Sequence, residues 1–170
     1  SFENITLKGG IYVEGTGQDL GALTGYTYGK ITDVTVDADY GSYVKGASYF
    51  GGVVGYAGEG STVFTRVKSN INVFGKTYMV GGIVGLAQYG VTFTDCECSG
   101  DVSLLEGDPA SANRWMRIGG IAGSWMENNT YAVTLTNCSY TGKLFSQKTD
   151  GTVATKFDYD GLVGRGYNAD

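Results

Sequence analysis

A glycine-rich apolar heptad recurs along this chain and constrains the fold more than any other feature. It reads LGALTGY at 20–26, GGVVGYA at 51–57, GGIVGLA at 81–87, IGGIAGS at 118–124 and YDGLVGR at 159–165. Anchored on its last glycine, the copies fall at Gly25, Gly55, Gly85, Gly123 and Gly164, spaced by 30, 30, 38 and 41 residues. A period of this length signals stacked supersecondary units, none of which can bury its apolar face alone. A second stretch repeats out of phase with the first: FENI at 2–5, ITDV at 31–34, FTRV at 64–67, FTDC at 93–96 and LTNC at 135–138. Its frame is apolar, any, Asn or Asp, apolar. Gly9, Gly100 and Gly142 follow the last apolar position by four residues, and Ile11, Val73, Val102 and Leu144 follow it by six. Units starting near 2, 31, 64, 93 and 135 then fill residues 1–170 as one solenoid domain.

The residue types ask for strands. VTFTDCECSGDVSL and AVTLTNCSYTGKLF are rich in β-branched and aromatic residues, alternate over short spans and are broken by glycine. No segment keeps a helical apolar stripe over three turns. In ITDVTV the alternation slips once, at Thr32–Asp33, and a corner explains the slip. Asp and Asn tolerate the left-handed conformation and hydrogen-bond their own backbone, so the strand can turn and restart with an inward residue. Asn4, Asp33, Asp95 and Asn137 hold this slot, and Arg66 departs from it. The spacing therefore predicts a parallel β-solenoid with two or three short strands per turn, and five coils about 4.8 Å apart make a rod about 25 Å long.

The heptads GGVVGYA, GGIVGLA and GGIAGSW, each followed after a short turn by FTRV, FTDC or LTNC, resemble the GLUG motif of bacterial cell-surface proteins. That family includes adhesin-like proteins of Bacteroides-type gut bacteria and non-catalytic regions of Gram-positive immunoglobulin A metalloproteases. The resemblance covers most of the chain and is specific for the repeat, since the motif marks a structural coil and carries no chemistry. It implies a right-handed parallel β-helix, secretion and surface display. The first copy departs from the pattern at Ala22 and Thr24 and the last at Asp160, as suits terminal coils.

Composition closes off several functions. Charged residues make up 17% of the 170, net charge is -5, and no run of Lys or Arg exists to neutralise phosphates, which argues against nucleic acid. No stretch approaches the roughly 20 apolar residues that span a bilayer, so this segment inserts into no membrane by a helix. The heptads lack the Lys and the strand-to-helix context of a phosphate loop, and five repetitions do not make one nucleotide site. With no His in the chain, Ser-His and Cys-His nucleophiles are excluded. Zinc is disfavoured by the same absence and by the C-x-C…C spacing, and no cofactor is expected. Cys96 and Cys138 occupy the slot that Val67, Val34 and Ile5 hold in other units, and Cys98 points the same way. They read either as buried thiols replacing valine or as an inter-coil Cys96–Cys138 disulfide, and the odd count leaves a free thiol.

Residues that could carry function sit where the period breaks. The extra length falls in LLEGDPASANRWMR and partly in SWMENNTYAVT, which hold both tryptophans, Trp115 and Trp125, with Met116, Met126 and Tyr131 nearby. On projecting loops, Trp115, Trp125 and Tyr131 are candidates for stacking on sugars or anchoring a protein partner, against the alternative that they fold back on the solenoid. Asp37 with Asp39, and Asp158 with Asp160, are the nearest candidates for carboxylate chemistry or a calcium site on a solenoid face, but surface solvation is the favoured reading. Tyr26, Tyr28, Tyr56 and Tyr89 read as corner packing. NIT, NNT and NCS match glycosylation acceptors at the rate chance supplies. The expectation is a non-catalytic structural and adhesive module of a secreted or surface-displayed bacterial protein. Its partners would be glycan or host protein, beside flanking domains of a longer chain. The rival is a β-helical carbohydrate-active enzyme, which a groove with clustered carboxylates and a Lys or Arg would favour.

Overall fold

A computed structural model describes residues 1–46, 48–58, 62–75, 79–88, 90–105, 117–127, 133–147, 158–164 and 167–168. Over them the chain is all-β, with no helix, and its strands pair in parallel between successive repeat units to form a β-solenoid. No helix among the described residues is long and apolar enough to cross a membrane.

The third unit shows the path of one coil. Strands Val63–Thr65 and Lys68–Ser69 form face A, Asn72–Gly75 forms face B, and Met79–Gly81 and Val84–Ala87 form face C. This unit carries five short strands, where two or three were expected, because each corner ends one backbone ladder and starts another. In the second unit the face A strands remain one, Lys30–Ala38. On face B, Tyr12–Glu14, Tyr43–Gly46, Asn72–Gly75, Val102–Leu105 and Leu144–Gln147 lie side by side in chain order. Asp158–Asp160 and Val163–Gly164 form an antiparallel pair within the last unit.

Each inward position forms a column across the coils. Phe2, Ile31, Phe64, Phe93 and Leu135 are in register on face A. Phe64 and Phe93 stack with centroids 4.8 Å apart. The expected heptad column is present: Leu23, Val53, Ile83 and Ile121 each donate a backbone N–H to the carbonyl of the next member, ending at Leu162. Val53, Ile83 and Ile121 are fully buried, while Leu23 and Leu162 at the two ends are half-buried. One expected column shifts. Val13, not Ile11, stands in line with Val44, Val73, Val102 and Leu144. The second unit adds a turn at Asp39–Ser42, closed by Ser42 N–H donating to Asp39 O, and Ile11 N–H is taken by Ser42 Oγ instead.

The heptad glycines serve close approach. Gly51, Gly81 and Gly119 end one face C strand, and the next begins three residues later. The two strands pass backbone to backbone. A Cβ on Gly85 would overlap Phe50 N and lie 2.7 Å from Gly55 O; one on Gly55 would overlap Leu20 N; one on Gly123 would overlap Val80 N. None of these glycines has a positive φ, so space and not backbone conformation demands them.

The extra length lies partly where the sequence put it. Residues 106–116 connect Val102–Leu105 to Arg117–Gly119, where 76–78 make the matching connection one unit earlier. The second insertion is divided: part of it separates Trp125 from Thr134 beyond the spacing of their partners Ala87 and Thr92, and the larger share falls at 148–157, while the strand Ala122–Glu127 itself continues through Trp125. A heptad fixes where its strand begins but not where it ends.

Gly85→Ala should cost about 3 kcal/mol or more in urea denaturation, because rigid backbone surrounds the site. Gly17→Ala, where a Cβ meets nothing within 4 Å, should stay within about 0.5 kcal/mol of the parent or stabilise it slightly.

Candidate functional site

Face A carries the most organised polar surface among the described residues. Asn4, Asp33, Arg66, Asp95 and Asn137 all adopt left-handed backbone, with φ between 52 and 55. Asn and Asp suit this conformation, since a short polar side chain offsets part of a cost of about 1–2 kcal/mol. Arg66 takes the same conformation without such a side chain, and the corner imposes it. Its guanidinium meets its neighbour, Nε donating to Asp33 Oδ1 at 2.6 Å and Nη2 to Asp33 Oδ2 at 2.7 Å. Further along the column, Asn137 Nδ2 donates to Asp95 Oδ1 at 3.1 Å.

The next outward row places Thr35, Lys68, Glu97 and Ser139 in register, with Lys68 Nζ donating to Glu97 Oε2 at 3.0 Å. Beyond it Asn70 bridges to the neighbouring coil, accepting from Ala38 N and donating to Ala38 O. Two adjoining shallow grooves of about 230 and 390 Å³ run along these rows. The larger is lined by Asp33, Thr35, Arg66, Lys68, Asp95 and Glu97.

The Arg66 hydrogen bonds hold the Asp33 carboxyl below the usual aspartate value, and Asp33 in turn raises the Arg66 guanidinium. Both stay charged near neutrality, so neither is tuned to exchange a proton. What this surface offers is a row of fixed donors and acceptors. Among the described residues no group of three or more Cys, Asp or Glu is placed to hold a metal ion.

The residues singled out in the sequence meet mixed outcomes. Trp115, Met116, Tyr89 and Tyr131 lie outside the described residues, as do the side chains of Trp125, Met126, Asp158 and Asp160. Asp37 is exposed and pairs with Lys8 Nζ at 3.5 Å, while Asp39 sits at the turn beyond it. Tyr26 stacks on Tyr56 of the next coil with centroids 4.9 Å apart and an interplanar angle of 20°, both within face C strands and Tyr26 partly exposed, so their place is a strand face and not a corner. Tyr28 meets the edge of Tyr26 at 4.6 Å but is 61% exposed, so the pair leaves an aromatic surface at the first coil. Cys96 and Cys98 are buried and Cys138 is half-buried, so the last of these is less interior than its column suggested. The polar rows of face A were missed. Their signal was present in the alignment of units, as Asp33, Arg66, Asp95 in one slot and Thr35, Lys68, Glu97 in another, and summing the charges over the whole chain hid it.

Comparison with protein-family models, with curated proteins and with solved structures gives no match.

Because Asp33 has a lowered value when folded, its pairing adds stability that is complete above the unfolded value of 3.8 and is lost as the pH falls through the folded value. Denaturation midpoints of the parent and Asp33→Asn should differ by a constant amount between about pH 5 and 7 and converge on acidification. The difference should also shrink at about 1 M salt, since the pair is exposed.

Proposed function

We propose that this chain is a non-catalytic repeat module of a bacterial secreted or cell-surface protein, structural and adhesive in role. It is a right-handed parallel β-helix in which each of five repeat units makes one coil, and its partner is glycan or a host surface protein. The coil count is supported by the five strands stacked in chain order on face B. The GLUG-like heptads support the cellular setting. The observation that carries the functional reading is the pairing on face A. Arg66 is bound to Asp33 and Lys68 to Glu97 across neighbouring coils, so charge is matched along the axis and converges on no reacting point. Binding would use the tryptophan-bearing segments, the exposed tyrosines of the first coil, or both.

One observation favours the enzyme reading. Asp33, Asp95 and Glu97 line a groove with Arg66 and Lys68, the clustering that a polysaccharide lyase would need. Against it, such an enzyme takes a proton from its substrate with an unprotonated Lys or Arg, and Asp33 pushes Arg66 the opposite way.

A glycan array of the parent beside Trp115→Ala, Trp125→Ala and Tyr28→Ala tests the adhesive reading. The parent should bind a defined glycan set, and at least one aromatic variant should lose about tenfold or more in affinity. Equal binding by all three would contradict aromatic anchoring. Incubation with polyuronates, with and without calcium, should release no unsaturated product. Its appearance would replace the module with the enzyme.

A further inference from the structure

Cys96 and Cys138 face each other in one interior column. Thr94 is paired with Thr136 on one side of them and Glu97 with Ser139 on the other, and Ser139 N–H donates to Cys96 O at 2.9 Å. In-register neighbours on adjacent parallel strands have Cα atoms about 4.8 Å apart, inside the range of about 4.4–6.8 Å that a disulfide spans. Both thiols also take the same orientation, each donating to the carbonyl two residues before it, Cys96 Sγ to Thr94 O and Cys138 Sγ to Thr136 O, at 3.4 Å in both cases. The rest of the column is Val67, Val34 and Ile5, so sulfur meets sulfur only toward its C-terminal end. Cys98 lies one column over, in register with Ser69 and Tyr140, and has no sulfur across from it.

We propose that Cys96 and Cys138 are an oxidisable pair that closes to a disulfide by exchange with a low-molecular-weight disulfide, stapling the last unit to its neighbour. Cys138 is the entry point, being half-buried where Cys96 is fully buried. Its thiolate attacks one sulfur of the reagent, the reagent S–S bond breaks, and one reagent thiolate leaves. Cys96 then gives up its proton, attacks Cys138 Sγ and expels the second reagent thiolate. Two protein thiols are oxidised, one reagent disulfide is reduced to two thiols, and the two protons released by the cysteines end on the leaving groups. The order agrees with the local chemistry. The neighbouring Cys96 thiol lowers the Cys138 thiol, whereas Cys138 and burial raise Cys96, so Cys138 ionises first. Burial pushes Cys98 up to about 12 and keeps it a thiol.

The staple would matter where the fold is least covered. Leu135, Cys138, Tyr140 and Leu144 are only partly buried against the core, unlike their counterparts one unit earlier. The loop it closes also contains the 106–116 and 128–132 segments, so oxidation would shorten the reach of the unfolded chain around both.

Equilibrate the protein with oxidised glutathione, denature it, alkylate the remaining thiols and map the peptides by mass spectrometry. The expected result is a loss of two hydrogens, one alkylated cysteine at position 98, a linked peptide joining 96 and 138, and a higher Tm that dithiothreitol reverses. Cys98→Ser should form the same link with no thiol left over. Cys96→Val and Cys138→Val, which place in the column the residue that Val34 and Val67 already supply, should show no link and no reductant-sensitive Tm. Three alkylated cysteines after equilibration, a stable glutathione adduct on Cys138 without closure, or a link through Cys98 would each overturn the proposal.

Discussion

Two strands of face C pass so close at each heptad that no Cβ fits between them, and the rest of the solenoid depends on that contact. Gly85 lies against Phe50 and Gly55 of the preceding coil, Gly55 against Leu20, and Gly123 against Val80. Because the backbones touch, the residues between them turn fully inward, and Val53, Ile83 and Ile121 become a continuous buried column. That column sets the register of the coils. Once the register is fixed, every outward residue on face A is placed beside its counterpart one coil away. A contact made of glycines thus determines where the charges stand.

The corner of face A works by a different constraint. Five successive units place a left-handed residue there, and four of the five are Asn or Asp. The fifth, Arg66, shows that the fold imposes the conformation and the side chain adapts to it. With Asp33 before it and Asp95 after it, the arginine stands between two carboxylates, and its bidentate pairing with Asp33 replaces the local hydrogen bond it lacks. The same rule governs the next row, where Lys68 meets Glu97. Charges ordered in this way form a regular lattice of donors and acceptors along the axis.

The solenoid was legible in the sequence because its two repeated stretches carry separate signals. Glycine spacing gave the coil, and the slipped alternation at Thr32–Asp33 gave the corner, including the left-handed slot. The strand count per coil was not legible, since the repeat shows where the corner falls but not whether the backbone ladder breaks there: Lys30–Ala38 runs through its corner as one strand, whereas Val63–Thr65 and Lys68–Ser69 are two. Nor was the column of Val13, because the first two units are longer than the third between the motif and face B, with Val13 eight residues after Ile5 and Val44 ten after Val34 where Val73 is six after Val67, and the motif is undisturbed by this. The larger share of the second insertion, at 148–157, was not legible either, and the strand that follows the heptad runs on through Trp125. The polar rows of face A were hidden in plain composition, because a net charge of -5 says nothing about which aspartate faces which arginine.

The central claim is that the heptad glycines hold face C together by direct backbone contact between coils. Nuclear Overhauser spectroscopy on the isotope-labelled protein reads that contact without altering it. The α-protons of Gly85 should show cross-peaks to the Phe50 amide and to Gly55, those of Gly55 to Asp19 and Leu20, and those of Gly123 to Val80. Glycine α-protons that see only their sequence neighbours would contradict the account.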